Sequence, residues 1–136
     1  MSRAQIEQVL AILIEARDTG DAATIANQFA PDGVFRVSGT KLLGPLTAEH
    51  HGRAAIQTAV THLVETWDFS ALPVQSIHVD GAFAYGFRKG TVRHIPTNTR
   101  MPFELVDRIK FQDGQIVEFV EFFDTYGVER LTRTPG

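Results

Sequence analysis

The sequence contains no cysteine among its 136 residues. This absence excludes disulfide bonds, thiolate metal sites and a cysteine nucleophile, and it fits the reducing cytoplasm, where we expect the protein to work. Long hydrophobic runs are also missing. The longest apolar run near the start, VLAILI, has six residues, which is too short for a membrane span or a signal peptide. We therefore expect no membrane partner.

The sequence also lacks a strong excess of charge of either sign. The formal net charge is −3, and the 13 lysines and arginines are scattered along the chain. A nucleic-acid-binding surface needs a basic patch or stripe, so we expect no nucleic acid partner. The five histidines show no spacing typical of metal ligands, and we expect neither a metal nor an organic cofactor.

The first half of the chain is predicted to be mainly helical. Apolar residues recur at helical spacing from Ala4 to Arg17. Gly20 can end this helix, and Asp21 can cap a short second helix that runs through Gln28. A third helix is predicted from about Arg53 to Thr66.

The remaining pattern is β-like. APDG, residues 30–33, predicts a turn before a strand at about Val34–Val37. Residues 38–52 form a Gly-, Thr- and Pro-rich loop, of a length that is usually functional or mobile. After Pro73 the pattern predicts strands to the end of the chain, with Asp-Gly hairpin turns. Helices followed by antiparallel strands predict a single α+β domain over residues 1–136.

The last predicted hairpin brings two carboxylates onto one face. A two-residue turn would mix polar and apolar side chains on both faces. We therefore predict a three-residue loop, residues 112–114, which also places Arg108 opposite Glu118. Asp107 and Glu121 then lie diagonally on the inner face, about 7–8 Å apart at Cα.

Two carboxyl groups in an apolar pocket are suited to acid–base chemistry, because mutual repulsion and desolvation raise the pKa of at least one of them. Arg88 is predicted to supply a cation, since it lies on a strand face whose other members are small. The alternative is that Arg88, Asp107 and Glu121 form a buried ion network with a purely structural role.

Further side chains are predicted to line the pocket or the outside of the sheet. Those expected to contact a substrate are mostly apolar or aromatic: Phe35, Val37, Trp67, His94, Leu105, Phe119 and Phe123. Two alternatives stay open, namely that Trp67 only packs the end of the third helix and that His94 lies on the surface. An outward apolar face of Tyr85, Phe87, Val120 and Phe122 predicts a homodimer through the sheet.

Three segments carry a resemblance to a known family: ARDTGDAATIANQFAPDGVF, HGRAAI and FQDGQIVEFVEFFDT. They resemble the SnoaL-like branch of the nuclear-transport-factor-2-like (NTF2-like) superfamily, which includes polyketide cyclases, ketosteroid isomerases and limonene-type epoxide hydrolases. The resemblance implies a cone in which three N-terminal helices pack on a curled, mixed and mostly antiparallel sheet that encloses a pocket. It also implies frequent dimers through the sheet.

The resemblance suggests roles for three residues. Asp107 matches a protonated aspartate in the oxyanion hole of ketosteroid isomerases, although Val37 and Leu13 stand at the positions of their base and tyrosine. Arg88 and Glu121 match an arginine and a carboxylate of the epoxide hydrolases. Glu121 also matches the acid–base aspartate of the polyketide cyclases.

These matches imply a cofactor-independent enzyme that cyclises, isomerises or hydrates a largely apolar small molecule. In this hypothesis Glu121 is the acid–base group, Arg88 orients it, and Asp107 donates a proton to developing negative charge. The alternative is a non-catalytic ligand-binding or dimerisation module of the same fold.

Overall fold

Helices α1 (Arg3–Thr19) and α2 (Ala22–Asn27) begin the computed structural model, which describes residues 1–133. Gly20 ends α1 in a left-handed conformation with φ of 77°. The side chain of Asp21 accepts a hydrogen bond from the backbone N–H of Thr24 and so caps α2. Both helices, the stop and the cap agree with the sequence prediction.

One seven-stranded mixed sheet makes up the second layer. The strand order is β2-β1-β7-β6-β5-β3, with β4 also paired to β5. β1 and β7 are parallel, and the other neighbouring strands are antiparallel. The predicted α+β architecture is confirmed. The strands are β1 (Phe29–Val37), β2 (His50–His51), β3 (Trp67–Asp68), β4 (Val74–Asp80), β5 (Phe83–His94), β6 (Thr99–Gln112) and β7 (Gln115–Phe123).

Two further helices complete the described chain. α3 spans Arg53–Thr66, as predicted. α4 spans Thr125–Thr132, so the prediction of strands to the end of the chain is wrong. The helix is short and contains a glycine and β-branched residues, which hides its helical pattern. It begins because the Asp124 side chain accepts from the backbone N–H of Gly127 at 2.9 Å, and it is held because Val128 is buried.

The segment APDG forms an irregularity inside β1 rather than a turn before it. Phe29 pairs with Ile116 and Val34 pairs with Glu118, so three extra residues of β1 are accommodated between these pairs. A Cβ at Gly33 would lie 3.0 Å from the carbonyl oxygen of Ile116, which explains the glycine there. The predicted loop 38–52 is also partly ordered, with 3₁₀-helical turns at Lys41–Thr47 followed by β2.

The apolar core consists of two clusters. The first joins α1, α2 and α3 to the inner face of the sheet around Phe29, Phe119 and Ile109. The second gathers around Trp67 and Leu105 and includes Val128 of α4. The polar site described below lies on the sheet between these clusters. No helix among the described residues is both long and apolar enough to cross a membrane.

Candidate active site

The β6–β7 hairpin has a different register from the predicted one. Gln112 pairs with Gln115 across a two-residue turn, in which Asp113 and Gly114 both have positive φ, 52° and 84°. The three-residue loop is therefore wrong. A bulge restores the apolar alternation further along, because Phe111 pairs with Ile116 whereas Lys110 pairs with Glu118, which leaves Val117 as the extra residue of β7.

This register places Asp107 directly opposite Glu121, not diagonal to it as predicted. Directly opposite residues of antiparallel strands have Cα atoms about 4.5–5.5 Å apart, so the two carboxyl groups are closer than expected. The predicted Arg108–Glu118 ion pair is present at 3.0 Å between Nη1 and Oε1. It is a diagonal pair, since the residue opposite Glu118 is Lys110.

Asp107 lies in an apolar part of the inner face. Leu105 and Ile109 precede and follow it on the same face of β6, and both are buried. Its Oδ1 is buried without a hydrogen-bond partner among the described residues. Burial raises the pKa of Asp107 well above its ordinary value, and the charge of Glu121 and a hydrogen bond to it raise this pKa further. Arg88 and Arg17 act in the opposite direction.

Arg88 is held by groups other than Glu121. Its Nη2 donates to Asp18 Oδ1 at 2.6 Å and to the Phe69 carbonyl at 3.3 Å, and its Nε donates to the Leu72 carbonyl at 2.8 Å. The Arg88 side chain is 5% exposed and that of Asp18 is 34% exposed. The expected pairing of Arg88 with Glu121 is thus corrected: this arginine ties the Phe69–Leu72 segment to α1 through Asp18.

Sequence reasoning missed Arg17, the second arginine of the site. Its guanidinium carbon lies 3.7 Å from the centre of the Phe69 ring, and its Nη2 donates to the Leu63 carbonyl at 3.5 Å. Burial lowers the pKa of Arg17 to about 10, although the negative charge of Glu121 counteracts this shift. One sequence signal could have revealed it: Arg17 continues the buried stripe of Leu10 and Leu13 at helical spacing.

One small cavity between α1 and the sheet is lined by four charged side chains, those of Arg17, Arg88, Asp107 and Glu121. We name it the carboxyl cavity. Its volume is about 70 Å³, and its remaining lining is almost entirely apolar. The open space above Gly86, where an added Cβ would meet nothing within 4 Å, belongs to it. The predicted wall residues Phe35 and Phe119 line this cavity as well.

Two further spaces share lining residues with the carboxyl cavity. A space of about 20 Å³, which we name the neck, is lined by Arg17 and Glu121 and also by Trp67 and Val128. An outer groove of about 650 Å³, lined by the 3₁₀-helical segment, α3 and α4, shares Trp67 and Val128 with the neck. Arg17 and Glu121 thus line both the carboxyl cavity and the neck.

The other predicted lining residues are distributed over these spaces. Phe123 lines the neck, Val37 lines the outer groove, and Trp67 lines both. Leu105 is packed in the core at 2% exposure. His94 packs against Trp67 with the two rings tilted and their centres 4.7 Å apart, and its Nδ1 is 2.8 Å from Thr97 Oγ1. The structure therefore brings neither Leu105 nor His94 to the carboxyl cavity.

The outer face of the sheet carries part of the predicted apolar surface. Phe87 pairs with Val106 and Val106 with Phe122, which forms an apolar row across three strands. Phe122 is 41% exposed, and Tyr85 and Phe87 are half-buried. Val120 does not contribute as predicted, because it is 0% exposed within the chain itself.

Residues 1–133 contain no group of three or more acidic or histidine side chains arranged to hold a metal ion. The polar chemistry of the cavity described above is that of two carboxyl groups and two guanidinium groups.

Residues 10–119 match the family model of the SnoaL-like domain. Since this match covers most of the chain, the protein belongs to the SnoaL-like domain family. No curated protein matches the chain.

Solved structures are similar over nearly the whole chain. An NTF2-like protein of unknown function from Burkholderia pseudomallei K96243 has a TM-score of 0.82 at 19% identity, covering 98% of this chain and 100% of that one. A putative isomerase from Rhodopseudomonas palustris has a TM-score of 0.76 at 15% identity, covering 98% and 100%. An LEH-like epoxide hydrolase from M. tuberculosis has a TM-score of 0.70 at 19% identity, covering 90% and 85%. These similarities establish the NTF2-like fold.

Proposed function

We propose that this protein is a cofactor-independent enzyme that transfers a proton at a carbon atom next to a carbonyl group, as in isomerisation or cyclisation of a largely apolar small molecule. One observation carries the proposal. Asp107 and Glu121 are opposite each other on adjacent strands and line the same apolar cavity. A proton held between two such carboxyl groups supplies an acid and a base in one place.

The two carboxyl groups take different roles. Asp107 remains protonated because its burial and the neighbouring Glu121 raise its pKa. It then donates a hydrogen bond to the carbonyl oxygen, where negative charge develops. Glu121, which also borders the neck, accepts the proton from carbon. Arg88 acts as a positioning residue. It donates hydrogen bonds to the Leu72 carbonyl and to Asp18 of α1, and so it fixes the Phe69–Leu72 segment against α1.

The spaces around the site support a substrate with a small polar end. The carboxyl cavity of about 70 Å³ has room for only a few water-sized groups. The outer groove of about 650 Å³ has room for the rest of the molecule. The carbonyl end would lie between Asp107 and Glu121, and the apolar body would extend past Trp67. The isomerase and epoxide hydrolase names of the similar structures agree with chemistry on small molecules.

A non-catalytic ligand-binding or dimerisation module is the alternative function. The size of the carboxyl cavity, about 70 Å³, favours the dimerisation module, because either a substrate or a bound ligand would require the neck to widen. Leu13 and Val37 also favour it, since they stand where the ketosteroid isomerases that the sequence resembles have a tyrosine and a base. The cytoplasmic location and the homodimer remain predictions in either case.

Hydrogen–deuterium exchange at carbon tests the catalytic function directly. The protein is added in catalytic amount to a panel of cyclic ketones and enones in heavy water, and loss of the C–H signals next to the carbonyl is followed by NMR. We expect the protein to accelerate exchange for part of the panel. Glu121→Gln keeps the shape of the side chain but cannot take up the proton, so the rate should fall by about 10²-fold or more.

Glu118→Gln is the matched control. Glu118 lies on the same strand as Glu121 but pairs with Arg108, and its side chain is 42% exposed. This variant should exchange at the wild-type rate. A Glu121→Gln protein as active as the wild type would rule out the acid–base role. A wild-type protein that accelerates no exchange in the panel would favour the non-catalytic module.

A further inference from the structure

The guanidinium group of Arg17 uses few of its donors within the protein. A guanidinium has five N–H donors, and the one acceptor within hydrogen-bonding distance among the described residues is the Leu63 carbonyl, at 3.5 Å. Arg88 by contrast donates to Asp18, Leu72 and Phe69. The Arg17 side chain is stacked on Phe69 and lines both the carboxyl cavity and the neck. It is therefore fixed at the junction of the two spaces, with donors left for a ligand.

The charges of the site, that of Arg17 included, add up to zero before a ligand binds. Asp18 and Arg88 form an ion pair and cancel each other. Asp107 and Glu121 together carry one negative charge when they hold one proton between them. Arg17 itself carries one positive charge. A buried site that is already neutral disfavours a permanently charged ligand, because an additional charge would be desolvated without a partner.

We propose that Arg17 binds the carbonyl oxygen of the substrate and balances the negative charge that forms on it, so that the substrate is a neutral ketone or enone rather than a carboxylate. This inference rests on the proposed function. It identifies the class of substrate and adds a catalytic residue from α1 to the pair on the sheet.

The proton transfer keeps the site neutral throughout. Glu121 takes the proton from the carbon next to the carbonyl, and the electrons of the broken C–H bond form a carbon–carbon double bond. The π electrons of the carbonyl move onto its oxygen, which becomes negative. The charge thus moves from Glu121 to the substrate oxygen. Glu121 and Arg17 line the same two spaces, and the proposal places the oxygen at Arg17. In a β,γ-unsaturated ketone the negative charge also reaches the γ-carbon, and return of the same proton to that carbon re-forms the carbonyl and completes an isomerisation to the conjugated enone without any further reactant.

The test uses 4-nitrophenol, which ionises near neutral pH and whose neutral and ionised forms absorb at different wavelengths. The phenolate represents the substrate after Glu121 has taken its proton. Glu121→Gln represents Glu121 in that protonated state, because its amide is neutral. The absorption spectrum of the bound ligand reports its protonation state, and quenching of the single tryptophan, Trp67, reports its affinity. Neither measurement requires turnover.

We expect Glu121→Gln to bind 4-nitrophenol as the phenolate. Adding Arg17→Met or Arg17→Gln should weaken this binding by about 10- to 100-fold, the scale of a lost charge-assisted hydrogen bond, and should favour the neutral form of the ligand. Adding Arg17→Lys should restore most of the phenolate binding. The matched control is Arg3→Met on the same helix, whose arginine is paired with Glu7 at the surface, and it should change nothing.

Three results would overturn the inference: phenolate binding that survives Arg17→Met or Arg17→Gln, binding of the neutral phenol alone by Glu121→Gln, or no binding by Glu121→Gln. Two uncharged variants are used so that one that fails to fold does not end the test. Failure of the proposed function would look different, since it is measured as exchange at carbon by the wild type and by Glu121→Gln, and it leaves the binding data readable.

Discussion

At the scale of single residues, the carboxyl group of Asp107 links the stability of the protein to pH. Three charged groups line the cavity with it, namely Glu121 across the strands, Arg88 on β5 and Arg17 on α1, and Arg88 is itself paired with Asp18. Burial and Glu121 together outweigh the two arginines, so the pKa of Asp107 is raised in the folded protein. The unfolded chain has the ordinary pKa of an aspartate, about 3.9.

The sign of the resulting pH dependence follows from proton binding. Above about pH 3.9 the unfolded chain releases this proton while the folded protein keeps it, so rising pH lowers the free energy of unfolding. Asp107→Asn removes this proton and hence this decline. We expect the stability of the variant relative to the wild type to increase as pH rises from about 4 towards the raised pKa. Urea denaturation at several pH values measures the difference.

The exposed Asp80 on β4 provides a control for this experiment. Asp80→Asn should follow the wild-type pH dependence. The same pH dependence for Asp107→Asn and wild type would mean that Asp107 is ionised in the folded protein, and the donor role proposed for it would be lost.

At the scale of elements, strand β5 has two glycines on the inner face of the sheet, and one borders open space whereas the other is closely packed. A Cβ at Gly90 would collide with the carbonyl oxygen of Ala71. The residues on either side of Gly90 are hydrogen-bonded to the Ala71–Pro73 backbone. Lys89 N–H donates to the Pro73 carbonyl, and Thr91 N–H donates to the Ala71 carbonyl. Gly90 is thus required for packing, whereas Gly86 leaves room for a ligand.

These two glycines give a matched pair of variants on one face of one strand. Gly90→Ala should lower the free energy of unfolding by about 1–3 kcal/mol, the usual cost of overpacking. Gly86→Ala should fold with nearly wild-type stability, because its methyl group enters open space, but it should weaken ligand binding and slow exchange at carbon. Thermal denaturation and the exchange assay measure the two effects. Equal stability of both variants would contradict the close contact at Gly90.

At the scale of the whole molecule, the outer face of the sheet is the proposed dimer interface. The apolar row of Phe87, Val106 and Phe122 crosses three strands. It borders a shallow groove of about 580 Å³. A second copy packed on this row would remove its apolar surface from water.

Sedimentation velocity at micromolar concentration tests this assembly. We expect a dimer for the wild type and a monomer for Phe122→Lys, because a lysine in the middle of the interface would be buried without a partner. Leu42→Lys is the control, since Leu42 is 95% exposed on the 3₁₀-helical segment, away from the sheet's outer face. The dimer hypothesis fails if the wild type sediments as a monomer or if Phe122→Lys remains a dimer.

The sequence by itself determined the properties that repeat at short range. Helical spacing located α1 and α3, and Gly20 and Asp21 marked the boundary between α1 and α2. Period-2 alternation put Asp107 and Glu121 on the same side of the sheet as Phe119, because alternation depends only on the backbone of each strand. The resemblance to the family came from such local segments, and the family match confirms it.

Only the tertiary structure decided which groups meet. The separation of Asp107 and Glu121 depends on a two-residue turn and on the extra residue Val117, and two registers that differ by a bulge leave much of the apolar alternation unchanged. The partner of Arg88 is Asp18, 70 residues earlier in the chain. Arg17 lines the same cavity as the two carboxyl groups because α1 packs on the inner face of the sheet. Such contacts depend on how elements that are distant in the sequence pack together, and the residue pattern of a single element carries no information about that packing.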